Sequence, residues 1–335
     1  MTEISIQNPI SPWVGRWLAL IAFMVLGIVV VGGATRLTGS GLSITEWQPI
    51  LGAMPPWSEA DWQAAYEKYQ TSSQFKLQNS AMTLSEFHFI YWWEWSHRLL
   101  ARTIGAVALL PFLYFAARKM LPKGQWPRYV VLMALGGLQG LLGWYMVKSG
   151  LDQRVAVSQY WLAAHLICAS TIFAFACWLQ FSVNRKHQWF GSGAEVLALI
   201  VLLLVFLQLT AGAFVAGLGA GQGYNTWPLM DGSLVPQGLS VMEPWWKNLF
   251  ENALTVQFDH RMLAYFIFAL VLVNLFAAPE ISALLLFCAV SSQVTLGVMT
   301  LLWHVPLSLA LLHQAGAMIV LLAATWNLHC RTVVV

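Results

Sequence analysis

Eight apolar stretches, each of about 20 residues, recur along the chain between polar connections. At 1.5 Å per residue, a helix of that length crosses the ~30 Å hydrocarbon core of a bilayer. Backbone polar groups in hydrocarbon must be paired within their own segment, so each stretch is predicted to be a helix. They lie near residues 15–35, 96–117, 128–148, 157–181, 195–217, 258–278, 281–303 and 305–328. The sequence therefore predicts an all-α integral membrane protein with eight transmembrane helices.

Composition agrees with this fold class. The chain is 59% hydrophobic and 9% charged, outside the range of soluble globular domains. Its net charge of +3 is spread over several loops and forms no basic stripe, so the expected partner is the lipid bilayer and not nucleic acid. No convincing small-residue cleavage site follows the first stretch, which is therefore expected to be a retained helix.

Basic residues predict the orientation, because lysine and arginine are retained on the cytoplasmic side. The second and fourth connections hold Arg118, Lys119, Lys123, Arg128, Arg185 and Lys186. With an even number of spans, both termini are then cytoplasmic, and the long connections 36–94 and 218–257 face outward. A bacterial inner membrane is the expected location, with any outer-end site on the periplasmic side.

The chain contains an internal duplication. The segment "EWSHRLLARTIG", from Glu94, matches "QFDHRMLAYFIFA", from Gln257, at a spacing of 163 residues. At that spacing His97, Arg98, Leu100, Ala101, Ile104 and Ala106 coincide with His260, Arg261, Leu263, Ala264, Ile267 and Ala269. Weaker matches pair Gln139 and Gly143 with Gln293 and Gly297, and Gly33 with Gly212. The pattern predicts two pseudo-symmetric four-helix bundles, residues 1–186 and 187–335.

Four histidines repeat with this duplication. His97 and His165 come from the second and fourth spans of the first unit, and His260 and His313 from those of the second. Ionisable groups in a bilayer are costly and usually functional. A helix bundle that projects two imidazoles inward can hold a haem iron from both sides, whereas zinc or copper needs three or four ligands. Each pair is predicted to bind one haem.

Glu94 lies three residues before His97, on the same helix face, and its counterpart is Gln257. A carboxylate in only one unit suggests that this unit carries out chemistry while the other stores electrons. The alternative is a solvated acid at a helix start, favoured by the helix dipole.

Four arginines are candidates for contacts with haem propionates, because a guanidinium group pairs well with carboxylates. They are Arg36, Arg98, Arg102 and Arg261. Snorkelling of these side chains to the membrane interface is the alternative.

The segments "GGATRLTGSGLSITEWQPILGAMPP", "EFHFIYWWEWSHRLLARTIG", "FDHRML" and "VPLSLALLHQ" resemble haem A synthase, in the branch found in proteobacteria and mitochondria. The resemblance implies oxidation of the C8 methyl of haem O to the formyl of haem A through hydroxylated intermediates. It implies that His97 and His165 take haem O, that His260 and His313 hold a permanent haem b, and that Glu94 is catalytic.

The resemblance also implies partners: an upstream haem O synthase, which is a farnesyltransferase, and cytochrome oxidase assembly factors; a homo-oligomer is compatible with it. Another branch of the family has a cysteine pair in its outward loops, which this chain lacks. Two rival interpretations remain: a bis-histidine cytochrome b that transfers electrons at the outer face without a haem substrate, and a transporter with histidines near the midplane.

Overall fold

The computed structural model describes residues 11–121, 124–151, 154–183 and 185–334. In these ranges eight helices are long and apolar enough to cross a membrane. They are α1 Pro12–Leu37, α4 Leu84–Ala117, α5 Trp126–Leu151, α6 Gln159–Phe181, α7 Gly193–Leu218, α9 Ala253–Ala277, α10 Ile281–Leu302 and α11 Leu307–Thr332. The predicted fold class, an all-α protein with eight transmembrane helices, is confirmed. Of the basic residues used for orientation, Lys123 lies outside the described residues.

Shorter elements connect these helices. Three short helices follow the first and fifth long helices, at the ends away from the termini: α2 Glu59–Gln70, α3 Ser73–Leu77 and α8 Asn248–Glu251. Two strands of two residues each, β1 Lys186–His187 and β2 Val333–Val334, pair antiparallel.

The long helices pack in two sets of four with the same neighbour order. In the first set α1 contacts α4 and α6, and α5 contacts α4 and α6; in the second α7 contacts α9 and α11, and α10 contacts α9 and α11. The two sets meet where α6 packs on α7 and where α11 packs on α1 and α6. One hydrophobic core runs through both. This arrangement is consistent with the predicted duplication.

Both ends of the described chain lie at one face of the bundle. The connection between α6 and α7 pairs with the end of α11, Lys186 opposite Val334. The start of α1 is close by, since a Cβ on Gly15 would lie 3.7 Å from Val183. This geometry is consistent with the prediction that both termini lie on the same side of the membrane.

The second long helix begins earlier than hydropathy predicts. α4 starts at Leu84, where Thr83 and Glu86 form a capping box, and not near residue 96. Glu94 and His97 are therefore interior residues of a helix, and the prediction that they lie at its start is wrong. The first part of α4 is rich in aromatic residues and packs on other protein elements, so it lacks the apolar signal of a lipid-facing span.

A cap of aromatic residues covers this first part of α4. The capping box of Ser58 and Asp61 starts α2, as the sequence predicts. The predicted face of α2 packs on α4 in one cluster whose buried members are Tyr66, Tyr69, Phe87, Ile90 and Tyr91. Tyr66 also donates a hydrogen bond to the carbonyl of Met82. In the described residues of the second unit, the equivalent place holds a short 3-10 helix, Trp245–Lys247, and the four-residue α8.

Candidate functional site

Each of the four predicted histidines lies against a glycine of the neighbouring helix. A Cβ added to these glycines would lie 3.1, 2.9, 3.2 and 2.8 Å from the nearest ring atom. The contacts are His97 with Gly32, His165 with Gly143, His260 with Gly212, and His313 with Gly297. At such distances a larger residue has to displace the imidazole, so the glycines define where the four rings lie.

The structure brings the histidines together in the predicted pairs. His97 of α4 is close enough to His165 of α6 to interact with it electrostatically, and His260 of α9 is equally close to His313 of α11. Each pair joins the second and fourth long helices of its own set of four. Each set of four helices thus holds two imidazoles near each other.

Three of the rings are also in contact with a glutamine amide. Gln139 Nε2 is 3.3 Å from His165 Nε2, and Gln293 Nε2 is 3.5 Å from His313 Nε2. Gln208 Nε2 is 3.1 Å from His260 Nδ1 and donates to the His260 carbonyl at 3.0 Å. The sequence analysis does not identify Gln208 as a site residue. A signal for it exists, because Gln208, like Gln139 and Gln293, stands four residues before a glycine.

One predicted correspondence is shifted by a residue. The sequence pairs Gly33 with Gly212. In the structure Gly212 contacts His260, and the glycine that contacts His97 in the same way is Gly32. Gly33 instead faces the other set of helices, where Gln314 of α11 donates to the Val29 carbonyl at 2.7 Å. A Cβ on Gly33 would collide with the Gln314 side chain.

Glu94 is 2% exposed, and both of its carboxylate oxygens are hydrogen-bonded. Oε2 accepts from Ser43 Oγ at 2.7 Å and from the Ile44 N–H at 2.8 Å. Oε1 accepts from Arg98 Nε at 3.0 Å and Nη2 at 2.6 Å. Glu94 therefore binds the segment that follows α1, and the alternative of a solvated acid is wrong.

Gln257 binds the equivalent segment of the second unit with the opposite polarity. Its Nε2 donates to the carbonyls of Ala220 and Gly223 at 2.9 and 3.0 Å. Its Oε1 accepts from Arg261 Nη2 at 3.1 Å. The backbone offers donors to Glu94 and acceptors to Gln257, so hydrogen bonding by itself accounts for the difference between the two residues.

The four predicted arginines bind backbone carbonyls at the end of the helices away from the termini. Arg98 and Arg102 hold the segment after α1, Arg261 holds the segment after α7, and Arg36 crosses from α1 to α7. Their acceptors are Glu46 and Ile44 for Arg98, Gln48 and Pro49 for Arg102, Tyr224 and Thr226 for Arg261, and Ala216 for Arg36. Buried N–H groups of Arg36, Arg102 and Arg261 have no partner among the described residues, so donors remain for a propionate.

The residues present fit a haem better than a metal held by protein alone. Within the described ranges there is no group of three or more His, Cys, Asp or Glu residues placed to hold a metal ion. Nδ1 of His165 and Nδ1 of His313 are buried with no hydrogen-bond partner among the described residues, at matching positions of the two sets. Buried polar atoms are normally paired, so these nitrogens indicate a ligand.

Eight spanning helices with two inward-facing imidazole pairs define a multi-pass membrane protein with two related histidine sites. The chain belongs to the COX15-CtaA family, described as cytochrome oxidase assembly protein, whose model matches residues 15–325.

Three relatives extend the match over nearly the whole chain, and each carries the name "Heme A synthase". The relative from Azorhizobium caulinodans is 50% identical over 317 residues, 92% of this chain and 91% of its own length. The relative from Parvibaculum lavamentivorans is 48% identical over 318 residues, with coverages of 93% and 92%. That from Bradyrhizobium diazoefficiens is 49% identical over 335 residues, with coverages of 97% and 93%.

Proposed function

We propose that this protein is a haem A synthase, an oxidoreductase that converts the C8 methyl of haem O to the formyl of haem A through hydroxylated intermediates. The relatives named for that activity support the proposal. The observation that carries it is the repeated imidazole pair, set against helix glycines in both sets of four helices. Two bis-histidine sites provide places for a substrate haem and a redox haem in one chain.

In this proposal residues 1–186 form the substrate unit and residues 187–335 the cofactor unit. His97 and His165 take haem O, and His260 and His313 hold haem b. Haem b, when bound, supplies one-electron redox chemistry. The chain orients the imidazoles through the glycine contacts, and its apolar helices exclude water from both sites.

The reaction has to release protons as well as electrons. If water supplies the oxygen, a methyl group becomes an aldehyde with loss of four electrons and four protons. Glu94 is the carboxylate nearest in sequence to His97, and we assign it the role of accepting a proton. Because both of its oxygens already accept hydrogen bonds, protonation has to displace a donor, either Arg98 or the pair Ser43 and Ile44.

The proposed location is a bacterial inner membrane, with both termini cytoplasmic and the haem sites toward the periplasm. Arg118, Lys119 and Arg185 lie in connections at the end of the bundle that holds the termini, and Arg128 lies in the first turn of α5 at the same end, which supports this orientation. A haem O synthase is the proposed upstream partner, because the substrate has to be farnesylated before it arrives.

A bis-histidine cytochrome b without a haem substrate is a second candidate. The observation that favours it is the structural use of Glu94, which binds an outward segment just as Gln257 does. Under this alternative the two sites are equivalent electron carriers.

Pigment extraction distinguishes the two candidates. The full-length protein is purified from a host that makes haem O, and its haems are extracted and separated by chromatography. The synthase yields haem O or haem A together with haem B. Haem B as the sole pigment, in a host with a confirmed haem O supply, would contradict the synthase assignment and support the cytochrome.

A further inference from the structure

A small cavity lies between the segment that follows α1 and the facing parts of α4 and α5, at the end of the bundle away from the termini. Its volume is about 90 Å³. Residues 45–47, Arg98 of α4 and the last turns of α5, with Trp144 and Lys148, line it. At ~30 Å³ per water molecule, the cavity has room for about three waters or one carboxylate group, and not for a macrocycle.

Both helical walls of the cavity adjoin the histidine pair of the first unit. Arg98 directly follows His97 in α4. The α5 wall starts directly after Gly143, the glycine that contacts His165. At 1.5 Å per residue, Lys148 lies ~7.5 Å farther along α5 than Gly143, toward the end away from the termini. A haem held by these two histidines therefore has the cavity at its edge.

The charges at the cavity leave it with a net positive charge. The Arg98 guanidinium is paired with Glu94 at 2.6 Å. The Glu46 carboxylate is paired with Lys68 at 2.8 Å. Lys148, by contrast, forms no salt bridge with any described residue. An unpaired cation beside two neutral pairs favours a ligand with a single negative charge, such as a carboxylate.

Hydrogen-bond donors for a carboxylate also remain at the cavity. A guanidinium group has five N–H donors, and Arg98 uses four of them on Glu94 and the segment after α1. The remaining N–H, on Nη1, has no partner among the described residues. The Lys148 ammonium lies 5.2 Å from the centre of the Trp144 ring, a cation–π contact at the cavity wall. The two oxygens of one carboxylate can accept from these two cations.

The sequence of the second unit lacks this lysine. The spacing that relates Gly143 to Gly297 places Leu302 at the position of Lys148. The lysine thus occurs only in the unit that also contains Glu94. A haem that only carries electrons needs no particular methyl group in a fixed place, whereas a haem that is oxidised at one methyl group does.

We propose that Lys148 and Arg98 bind the C7 propionate of haem O in this cavity, and that Lys148 is a positioning residue that sets the C8 methyl beside Glu94. The inference rests on the proposed function. On the porphyrin ring the C7 propionate and the C8 methyl are neighbours. In the protein the cavity and Glu94 are neighbours, because the Arg98 guanidinium binds Glu94 and also lines the cavity. A propionate held in the cavity therefore brings the methyl that is oxidised close to the carboxylate that accepts a proton.

The test compares haem O with its two monomethyl esters, blocked at the C6 or the C7 propionate. Full-length protein with haem b bound is placed in nanodiscs of phosphatidylcholine, so that no anionic lipid headgroup competes for the cavity. The affinity for each haem is measured by absorbance titration. Lys148→Gln is expected to bind haem O about fivefold more weakly than the wild-type protein and to lose the preference for haem O over the C7 ester. Its preference for haem O over the C6 ester is expected to stay as in the wild-type protein.

Two matched variants and one rate measurement separate positioning from a general effect of charge. Lys148→Arg keeps the positive charge and is expected to keep the preference over the C7 ester. Lys76→Gln removes an exposed lysine of α3 at the same end of the bundle and is expected to bind all three haems like the wild-type protein. At saturating haem O, conversion by Lys148→Gln is expected to be slower than in the wild-type protein, because the methyl is no longer held beside Glu94. A lysine that only attracts the substrate would change KM alone.

Two results overturn the inference while the proposed function stands. One is the same preference for haem O over the C7 ester in Lys148→Gln and in the wild-type protein, which is the result expected if the lysine serves a lipid headgroup. The other is wild-type conversion at saturating haem O in Lys148→Gln. If that variant does not fold, Lys148→Met, which also lacks the charge, decides. A wild-type protein that binds no haem O would contradict the proposed function, and this inference with it.

Discussion

Glu94 and Gln257 occupy equivalent positions and bind backbone groups of opposite polarity. A carboxylate has only acceptors, which suits the Ser43 hydroxyl and the Ile44 N–H. An amide adds donors, which suits the carbonyls of Ala220 and Gly223. In the sequence, the difference between Glu94 and Gln257 suggests that the two units have different roles. Hydrogen bonding to the neighbouring backbone explains the same difference directly. Mutation of both positions separates the two explanations.

The Glu94→Gln variant tests the assigned proton transfer. One amide oxygen cannot accept from both Arg98 and the segment at Ser43, so a buried donor loses its partner at a cost of about 1–3 kcal/mol. We expect this variant to retain haem binding but to lose conversion of haem O, measured as haem A yield by chromatography of extracted pigments. An unchanged yield would remove Glu94 from the mechanism.

Its matched control is Gln257→Glu, which sets a carboxylate against two carbonyls in the cofactor unit. Both variants leave a buried polar group without a suitable hydrogen-bond partner. Thermal stability is therefore expected to fall in Gln257→Glu as far as in Glu94→Gln or further. Haem O conversion is expected to persist in the folded fraction. A loss of conversion in both variants with equal loss of stability would point to structural roles alone.

The histidine variants test which unit holds the permanent haem. His260→Ala or His313→Ala removes one of the two residues proposed to hold haem b, and we expect the low-spin b-type absorbance spectrum to disappear. His97→Ala acts on the other unit and is expected to leave most of that spectrum. The reverse pattern would exchange the roles of residues 1–186 and 187–335.

At the scale of the elements, α4 shows what a hydropathy pattern detects and what it misses. The apolar run that begins near residue 96 is found, because lipid contact selects apolar residues there. The preceding turns of α4 face the aromatic cap and carry polar residues, so their helical nature is visible only from the capping box of Thr83 and Glu86. The histidine pairs were predictable because the duplication repeats them, whereas Gln208 has no counterpart in the first unit.

The glycines of α5 provide a test within one helix. A Cβ on Gly143 would lie 2.9 Å from His165, whereas one on Gly140 has nothing within 4 Å. Gly143→Leu is expected to displace the His165 ring and reduce haem O binding at least tenfold, measured by titration of the purified protein. Gly140→Leu, with the same gain in helix propensity, is expected to bind like wild type. Equal affinities in the two variants would show that the ring does not need the space at Gly143.

At the scale of the whole molecule, α1 and α11 join the two sets of helices close to two of the site histidines. Gln314 follows His313 directly in the chain, and it packs on Gly33, which follows the Gly32 that contacts His97. One continuous path of neighbours thus joins a histidine of one pair to a histidine of the other. Sequence alone cannot reveal this contact, because it depends on how two separate bundles dock.

Gly33→Leu is expected to displace the amide end of the Gln314 side chain and to break its hydrogen bond to the Val29 carbonyl, because even a Cβ at position 33 collides with that amide. In the proposed function this contact lies between the two haem sites, so its loss should slow electron transfer from the substrate unit while each site keeps its own ligands. Stopped-flow reduction of haem b during haem O oxidation measures that rate, and pigment content checks that both haems remain. Gly27→Leu is the control, since a Cβ on Gly27 of the same helix has nothing within 4 Å. Wild-type reduction kinetics in Gly33→Leu would mean that electrons pass between the units without the α1–α11 contact.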